Sequence, residues 1–296
     1  MAREITDDES RQVQQLVANA RAAMQAADSY DQAEVDRIIR AVAWAGGNEP
    51  TALKLANMSV DESGMGGREP TRRGKILGIL RDALRQKSMG VIEENPALGI
   101  VKYAKPAGVI AALVPVTSPY VTPIGMAIYA LKCKDAMIFS PHPGSRNTTM
   151  ETVRIMRAAL AKLGAPVDLL QCVDAPSIPL ANRLMSSCDL TMATGGRGHS
   201  CGIYSFDDDH IHRLALMAPV SRIMVRQIQS RANAGTFTNG MPMTSSMGCG
   251  VWGGNITNEN VSLKHYMNVT WVSRPIPEDR PSDEELFGEF YNTEIF

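Results

Sequence analysis

The chain has 296 residues, 44% of them hydrophobic and 21% charged, which predicts a soluble globular protein of one large or two ordinary domains. A formal net charge of −1 excludes long-range attraction to nucleic acid or acidic membranes. We expect no signal peptide and no transmembrane segment, because the first residues are polar and no apolar run approaches the roughly 18 residues that span a bilayer. Five cysteines without Cys-x-x-Cys spacing favour a reducing cytoplasm.

Capping signals predict three helices near the N-terminus. Thr6 and Glu9 form a capping box, in which the Thr side chain accepts from an amide three residues on and the Glu reaches back. A second capping box in residues 29–32, beginning at Ser29, predicts a helix that stops near Gly46-Gly47. Pro50 suits the first turn of a third helix.

A basic helix is expected over about residues 70–87, where Arg and Lys side chains recur. Such a cluster could bind nucleic acid. A solvated helix face is the favoured interpretation, since the overall charge is near neutral and no aromatic residues are interleaved.

Residues 91–105 predict an extended arm made of two short strands around a turn at Pro96 and Gly99. The exposed edges of such an arm must be covered, often by another subunit.

Four short apolar runs without alternation follow, and three segments with helical spacing lie between them. The runs are Val109–Val114, 136–140, 168–173 and Leu190–Ala193, and the helical segments are 124–131, 149–163 and Ile178–Ser187. This pattern predicts strands buried on both faces of a parallel sheet. Ligands of such sheets bind outside the carboxyl ends of the strands, where the turn-rich motifs of this chain cluster. The sequence therefore predicts a nucleotide-type site at that edge.

The C-terminal third is less regular. A strand over 201–205, a helix over Asp208–Met217 and a strand over 222–225 precede a loop-like region, 229–260. The tail from Pro275 is acidic but keeps four aromatic residues, so disorder and docking on a neighbouring surface are equally favoured.

Four motifs in order carry a family resemblance. They are Val-Pro-Val-Thr-Ser-Pro at 114–119, Phe-Ser-Pro-His-Pro at 139–143, Ala-Thr-Gly-Gly at 193–196 and Gly-Cys-Gly-Val-Trp-Gly-Gly-Asn at 248–255. From the first helix to about Trp271, the chain resembles the CoA-acylating branch of the aldehyde dehydrogenase superfamily. Thr117-Ser118-Pro119 and the acidic aromatic tail look closest to the sulfoacetaldehyde dehydrogenases of that branch. The resemblance implies an α/β fold with a Rossmann-like parallel sheet flanked by helices, plus a β-arm for oligomerisation.

The resemblance also exposes a gap. In the family, a long segment containing the nucleophilic cysteine separates the Thr-Gly-Gly motif from a Gly-His-Thr-Ser-like strand. Here Gly196 and Gly198 are separated only by Arg197, and His199-Ser200-Cys201 follows at once. We interpret the chain as an internal deletion, natural or engineered, that keeps the cofactor-binding half and the oligomerisation elements.

The family chemistry requires an activated cysteine thiolate that attacks the aldehyde, a hydride transfer to NAD or NADP, and CoA as the final acyl acceptor. None of the five cysteines lies in a match to the nucleophile motif. They are Cys133, Cys172, Cys188, Cys201 and Cys249. We therefore assign no catalytic residue and expect the chain to be inactive.

The resemblance and the strand order together predict the cofactor-binding residues. After the first, second and fourth strands these are, respectively, Val116, Thr117, Ser118 and Pro119; His142, Pro143, Gly144, Ser145 and Arg146; and Thr194, Gly195 and Gly196. Ser118 stands where many family members have an oxyanion-hole asparagine, which suggests an unusual substrate. Arg146 either meets a phosphate of CoA or NADP or is a solvent-exposed residue at a helix start.

The expected organisation has five parts: N-terminal helices of the cofactor-binding domain (1–90), the β-arm (91–106), the nucleotide-binding core (107–196), a remnant of the catalytic domain with an oligomerisation segment (197–274) and the tail (275–296). Expected partners are a small aldehyde, CoA, a nucleotide and further copies of the chain, joined through 91–106 and the C-terminal segment. His199, His210 and His212 lack the spacing of a metal site, so no metal is assigned.

Two other interpretations stay open. One is a non-catalytic relative that builds oligomers or filaments, and the other is residual catalysis through Cys249. Nucleotide binding and NADH formation, respectively, distinguish them from the leading hypothesis.

Overall fold

The computed structural model describes residues 3–69, 72–193 and 198–278. Its first four helices are α1 (Asp7–Ala26), α2 (Gln32–Gly47), α3 (Glu49–Ser63) and α4 (Arg73–Leu84). The predicted capping box at the start of α1 is confirmed, because Glu9 N–H donates to Thr6 Oγ1 at 3.2 Å and Thr6 N–H donates to the Glu9 carboxylate at 3.0 Å. Pro50 lies in the first turn of α3, as predicted.

The predicted cap of α2 is wrong. The N-cap is Asp31 rather than Ser29, and Asp31 exchanges hydrogen bonds with Glu34 at 2.8 Å in each direction. Both residue pairs satisfy the spacing of a capping box, and in the structure it is the later pair that forms it.

The predicted arm is a β-hairpin that gains a third strand from the C-terminal segment. Strands β1 (Gly90–Asn95) and β2 (Ile100–Pro106) flank a 3₁₀ turn at Pro96–Leu98 and pair antiparallel. The last strand, β9 (Met267–Ser273), pairs antiparallel with β2 from Ile100↔Ser273 to Pro106↔Met267. The sheet order is therefore β1-β2-β9, and β2 is covered on both edges by its own chain.

A four-stranded parallel sheet forms the centre of the molecule. Its elements in chain order are β3 (Val109–Val114), α5 (Val121–Lys132), β4 (Ala136–Pro141), α6 (Arg146–Lys162), β5 (Leu170–Cys172), α7 (Ile178–Ser187) and β6 (Leu190–Ala193). The predicted third strand is shorter than expected, because a 3₁₀ turn at Val167–Leu169 replaces its first residues. The parallel sheet itself is confirmed.

The strands lie in the order β5-β4-β3-β6. Helices α1 and α7 pack on one face, and α5 and α6, backed by α2, pack on the other. Every residue of β4 is buried, which explains its apolar sequence without alternation. The chain leaves β3 towards β4 and β5 and later returns to the opposite side of β3 as β6. The order therefore reverses beside β3.

Two carboxylates accept hydrogen bonds from backbone amides at the amino edge of this sheet. Asp189 accepts from Val109 N–H at 2.7 Å and from both terminal nitrogens of Arg21, and these bonds lower the pKa of Asp189. Asp135 accepts from Gly108 N–H at 2.9 Å, and burial raises the pKa of Asp135 to about 8. Gly108 has φ +119°, and a Cβ there would lie 2.3 Å from Asp189 Oδ2, so only glycine fits this approach.

The remaining elements are β7 (Cys201–Ile203), α8 (Asp208–Met217), β8 (Ile223–Val225) and α9 (Gln229–Ala232). β7 and β8 form a two-stranded parallel sheet, and the predicted strand at 201–205 is two residues too long. A later stretch, 243–266, joins the central core through Met243, Leu263 and Tyr266. No helix in the described ranges combines the length and apolarity needed to cross a bilayer.

Candidate functional site

The ends of β3, β4 and β6 align at the carboxyl edge of the parallel sheet. Val114 is in register with Pro141 of β4, and Leu113 is in register with Ala193 of β6. The segments that follow these strands therefore begin side by side. The order reversal between β3 and β6 makes this edge a topological switch point, where open α/β sheets bind their ligands.

The first of these segments, residues 115–120, leads into α5. Ser118 N–H donates to Pro115 O at 3.2 Å, which makes a tight turn, and Thr122 N–H donates back to Ser118 O at 3.3 Å. α5 has no side-chain cap and no acidic residue in its first turn. Because Thr122 N–H and Ile124 N–H are already paired with Ser118 O and Tyr120 O, and Pro123 has no N–H, it is the helix dipole that would favour an anionic group beside Ser118.

The second segment, residues 142–145, lies against the first. His142 Nδ1 accepts from Gly144 N–H at 3.1 Å. A Cβ built on Gly144 would lie 3.7 Å from Val116 Cγ2, so these two predicted residues are neighbours. Thr149 Oγ1 donates to Pro119 O and Ser145 O, each at 3.1 Å, and holds the two segments together.

The amino end of α6 is already occupied by a carboxylate. Glu62, at the end of α3, accepts from Asn147 N–H at 2.7 Å and from the N–H and Oγ1 of Thr148 at 2.8 Å each. The partners are 85 and 86 residues apart, so no local sequence pattern could have revealed this cap. A ligand phosphate at α6 would therefore have to displace Glu62.

Arg146 forms an ion pair rather than standing free. Its Nη2 lies 2.8 Å from Asp174 Oδ1, beyond the end of β5, and both side chains are partly exposed. The buried Arg146 Nε and the buried Ser145 Oγ have no hydrogen-bond partner in the described structure. A phosphate at this position would find two unsatisfied polar atoms but would compete with Asp174.

The predicted residues Thr194, Gly195 and Gly196 lie outside the described residues, as do Arg197 and residues 279–296 of the tail. The strand that leads to them, β6, is where the sequence predicted it.

Arg72 is a site residue that the sequence analysis missed. Its Nη1 donates to Thr117 O at 2.6 Å, although the sequence assigned the basic helix to a solvated face. Arg73 Nε donates to Gly47 O at 2.7 Å, and the Arg81 guanidinium lies 5.0 Å from the Phe237 ring centre. Arg72 is exposed, as a solvated face predicts, but each of these three side chains also contacts another part of the chain, which the sequence did not indicate.

None of the three cysteines whose thiol pKa is shifted is an activated thiolate. Burial raises the pKa of the Cys133 thiol, that of Cys172 to about 12 and that of Cys188 to about 11. Cys249 is fully buried, so an aldehyde cannot reach its thiol. The buried, raised-pKa thiols of Cys133, Cys172 and Cys188 lack the electropositive, accessible setting of a nucleophilic cysteine.

Within the described ranges, no group of three or more His, Cys, Asp or Glu side chains could hold a metal ion. His210 lies on α8 beside Asp207, with 3.3 Å between Nε2 and Oδ2.

Comparison with known families matches residues 2–225 to the aldehyde dehydrogenase family. The chain belongs to the aldehyde dehydrogenase family. Its resemblance to that superfamily, predicted from the four motifs, is confirmed.

The curated relatives of this aldehyde dehydrogenase chain include acylating enzymes. It is 29% identical to a sulfoacetaldehyde dehydrogenase from Acholeplasma sp over 450 aligned positions, which cover 93% of this chain and 93% of the relative. It is 34% identical to the bifunctional aldehyde-alcohol dehydrogenase of Escherichia coli (strain K12) over 238 positions, which cover 76% of this chain and 26% of that protein. Because the chain has 296 residues, at least a third of the first alignment lies opposite a gap in this chain. The predicted internal shortening is therefore confirmed.

Solved structures agree on the fold. An acetylating aldehyde dehydrogenase from Geobacillus thermoglucosidasius matches with a TM-score of 0.79 at 20% identity, covering 93% of this chain and 99% of that one. Rhodopseudomonas palustris propionaldehyde dehydrogenase with bound propionyl-CoA matches with a TM-score of 0.54 at 23% identity, covering 65% and 47%. An engineered glycolyl-CoA reductase with bound NADP+ matches with a TM-score of 0.52 at 21% identity, covering 66% and 48%.

Proposed function

We propose that this chain binds the nucleotide and CoA of an acylating aldehyde dehydrogenase but does not complete the oxidation. The observation that carries the proposal is the alignment of the β3, β4 and β6 ends at the strand-order reversal. The bound NADP+ and propionyl-CoA of the structural neighbours support the same ligand classes.

The residues at this edge suit an adenine nucleotide in two places. The start of α5, which follows Thr117 and Ser118, has no side-chain cap and no acidic residue, so its helix dipole would stabilise a pyrophosphate or a carbonyl oxygen there. Gly144 lies against the side chains of His142 and Val116, which are 3.4 Å and 3.7 Å from the position of a Cβ built on it, so this glycine keeps the two ligand-facing segments close together. When bound, NAD or NADP would accept a hydride, and CoA would accept an acyl group. We propose His142, Pro143, Ser145 and Arg146 for the ribose side. Thr194, Gly195 and Gly196, which lie outside the described residues, stay cofactor-binding residues predicted from the sequence.

A binding titration tests this proposal. Gly144→Val should weaken binding of NAD, NADP and CoA at least tenfold in calorimetry, because the branched side chain would crowd His142 and Val116 and displace the segment that follows β4. Gly240→Val is the matched control, since Gly240 is exposed and has no atom within 4 Å of its added Cβ. Equal affinities for all three proteins, or no binding by the unmodified chain, would contradict the proposal.

Turnover is tested separately. We expect no rise in NADH or NADPH absorbance when an aldehyde, CoA and either nucleotide are added, because burial raises the pKa of the Cys133, Cys172 and Cys188 thiols and Cys249 is inaccessible to an aldehyde. A rise that depends on both the aldehyde and CoA would overturn the assignment of no catalytic residue. Its loss in Cys249→Ala would identify that thiol as the nucleophile.

Sulfoacetaldehyde is the proposed substrate of the full-length parent enzyme, and the reducing cytoplasm is the proposed compartment. The first is supported by relatives named sulfoacetaldehyde dehydrogenases, and the second by five free cysteines.

The alternative of an assembly protein is favoured by one observation. β9 is exposed along almost its whole length, Trp271 is 60% exposed, and the β9 edge away from β2 has no strand partner in the described structure. Such an edge pairs readily with another chain. If another copy covers it, Val269→Lys should lower the mass measured by light scattering after size exclusion. An unchanged mass would reject the edge as the interface.

A further inference from the structure

The C-terminal segment is held on α4 and α5 through the backbone of Met243. Met243 N–H donates to Asp82 Oδ2 of α4 at 3.1 Å, and the Tyr129 hydroxyl of α5 donates to Met243 O at 2.9 Å. The side chains of Tyr129 and Met243 are buried. Two hydrogen bonds to one buried residue therefore fix the position of the C-terminal segment on these helices.

A cleft of about 350 Å³ opens beside this contact. Its lining comes from the end of α4, from α5 and from the C-terminal segment, and includes Arg81, Asp82, Arg85, Gln86, residues 239–242 and Ser262. A volume of this size and a position between two parts of a chain are typical of small-molecule sites. Tyr129, which also lines the cleft, lies eight residues after the start of α5 and so about 12 Å along that helix. The cleft is therefore separate from the carboxyl edge of the parallel sheet.

The side chains that line the cleft carry a net positive charge. Asp82 is the one acidic residue among its described lining residues, and both of its oxygens are used. Oδ1 accepts from Arg81 Nε at 2.8 Å, and Oδ2 accepts from Met243 N–H. Arg81 and Arg85 are four residues apart on the helix, so their Cβ atoms are about 6 Å apart. Arg85 forms no ion pair with a described residue, which leaves one of the two positive charges without a counter-ion there.

The Arg81 guanidinium is held in place before any ligand binds. Asp82 takes one edge of it, with 2.7 Å between Oδ1 and Nη2, and the ring centre of Phe237 lies 5.0 Å from its Cζ. Gln86 Nε2 donates to Asp82 O at 2.9 Å, which positions a neighbouring amide of the lining. Arg81 Nη1 has no hydrogen-bond partner in the described structure. Because this donor is fixed in advance, it loses little conformational freedom when a ligand binds.

We propose that this cleft binds a small organic anion, whose carboxylate, sulfonate or phosphate group lies between Arg81 and Arg85. The bound group relieves the repulsion between two like charges four residues apart and accepts charge-assisted hydrogen bonds from both guanidiniums. The rest of the ligand lies against residues 239–242 and the Ser262 hydroxyl, which donates to no acceptor among the described residues. The ligand therefore bridges α4 and the C-terminal segment, and its binding stabilises their contact. This site goes beyond the proposed function, because the nucleotide edge lies at the start of α5.

Binding of two small probes to the whole chain tests the site. We expect succinate and glycerol 3-phosphate to bind in calorimetry or ligand-observed NMR, and Arg81→Gln and Arg85→Gln each to weaken both at least fivefold. Arg85 is exposed and its side chain bonds to no described residue, so its replacement leaves the fold intact. Arg85→Lys keeps the charge and should retain most of the affinity. Arg183→Gln is the matched control and should change the affinity less than twofold, because Arg183 is also exposed but lies on α7, outside the cleft.

The same proteins separate this cleft from the nucleotide edge. NADP and CoA affinities should be unchanged in Arg81→Gln and Arg85→Gln, and Gly144→Val should bind both probes as the unmodified chain does. If Arg85→Gln instead loses CoA or NADP affinity and the probes compete with that ligand, the cleft holds a cofactor phosphate and the assignment to a separate anion is overturned. Binding of the probes without any nucleotide binding would contradict the proposed function and support the cleft.

Hydrogen exchange tests the bridge between α4 and the C-terminal segment. Saturating succinate should slow amide exchange of residues 239–262 several-fold in the unmodified chain and leave it unchanged in Arg85→Gln, because a ligand that touches both parts opposes their separation. Protection confined to α4 would overturn the bridge. No binding of either probe, or equal affinities in all variants, would overturn the site as a whole.

Discussion

The parallel-sheet half of the molecule differs from residues 198–231, which we call the β7–β8 segment, in how far its side chains are buried. The two regions contain similar kinds of secondary structure. Five of the six residues of β3 and all six of β4 are buried, whereas α8 has no buried residue. In the β7–β8 segment, Met224 is the one buried hydrophobic side chain, while Leu216 and Met217 are 74% and 81% exposed. Both regions contain strands, a helix and caps, yet only one of them contains a core.

The difference shows that a segment can form strands and a helix without forming a hydrophobic core of its own. A two-stranded parallel sheet cannot cover its own faces and edges, because parallel strands are normally buried under helices. We propose that the β7–β8 segment is the remnant of a larger sheet, the rest of which lies in the part that this chain lacks relative to its relatives. We therefore expect the parallel-sheet half to unfold cooperatively and the β7–β8 segment to open on its own.

Deleting buried volume should have the largest effect. Ile138→Ala, at a fully buried position of β4, should lower the free energy of unfolding by about 3 kcal/mol, because it leaves a cavity in the central sheet. Leu216→Ala, on α8, should change it by less than about 0.5 kcal/mol. Urea unfolding followed by circular dichroism measures both. Similar losses for the two variants would mean that the regions share one core.

A pair of glycines gives the next largest effect. Gly108→Ala would force a Cβ to within 2.3 Å of Asp189 Oδ2 at φ +119°, and should cost about 2 kcal/mol of global stability. Gly198 has φ +75°, and its added Cβ would lie 2.6 Å from Trp252 Cβ, so its local strain is comparable. Gly198→Ala should leave the main transition in place and increase only the hydrogen exchange of the β7–β8 segment. A shift of the main transition would contradict local opening.

Two helix caps extend the comparison at a smaller scale. Glu62→Gln should cost about 1 kcal/mol, because it weakens the charge-assisted bonds to Asn147 and Thr148 at the start of α6. Asp207→Asn, at the cap of α8, should reduce protection of that helix alone. If Glu62→Gln instead leaves stability unchanged, the carboxylate contributes nothing as a cap.

The smallest expected effect on stability concerns an exposed ion pair. Asp174→Asn should change the free energy of unfolding by less than about 0.5 kcal/mol, because both partners are exposed to solvent. It should nevertheless strengthen the binding of CoA or NADP, since Arg146 would be free to meet a phosphate. Unchanged affinity would assign Arg146 a structural role only.

Local signals in the sequence were sufficient for much of the fold. The bounds of β3, β6, α7 and α8 match the apolar runs and caps from which they were predicted. What failed depends on contacts distant in sequence. Glu62 at α6 and Arg72 at Thr117 are invisible to pattern analysis, because their partners lie 85 and 45 residues away, respectively. The local spacing rule also fits both Ser29 and Asp31, so it could not decide which of them caps α2.

The pairing of β2 with β9 affects how well the fold tolerates a change in the length of the segment between them. The pairing of these strands brings residue 106 beside residue 267, so it holds together the two ends of the segment 107–266. Closing a chain costs free energy that grows only with the logarithm of its length, about 0.6 kcal/mol for each doubling. The free-energy cost of pairing β2 with β9 therefore depends only weakly on the length of the enclosed segment. A large deletion or insertion within that segment is compatible with β2 and β9 remaining paired.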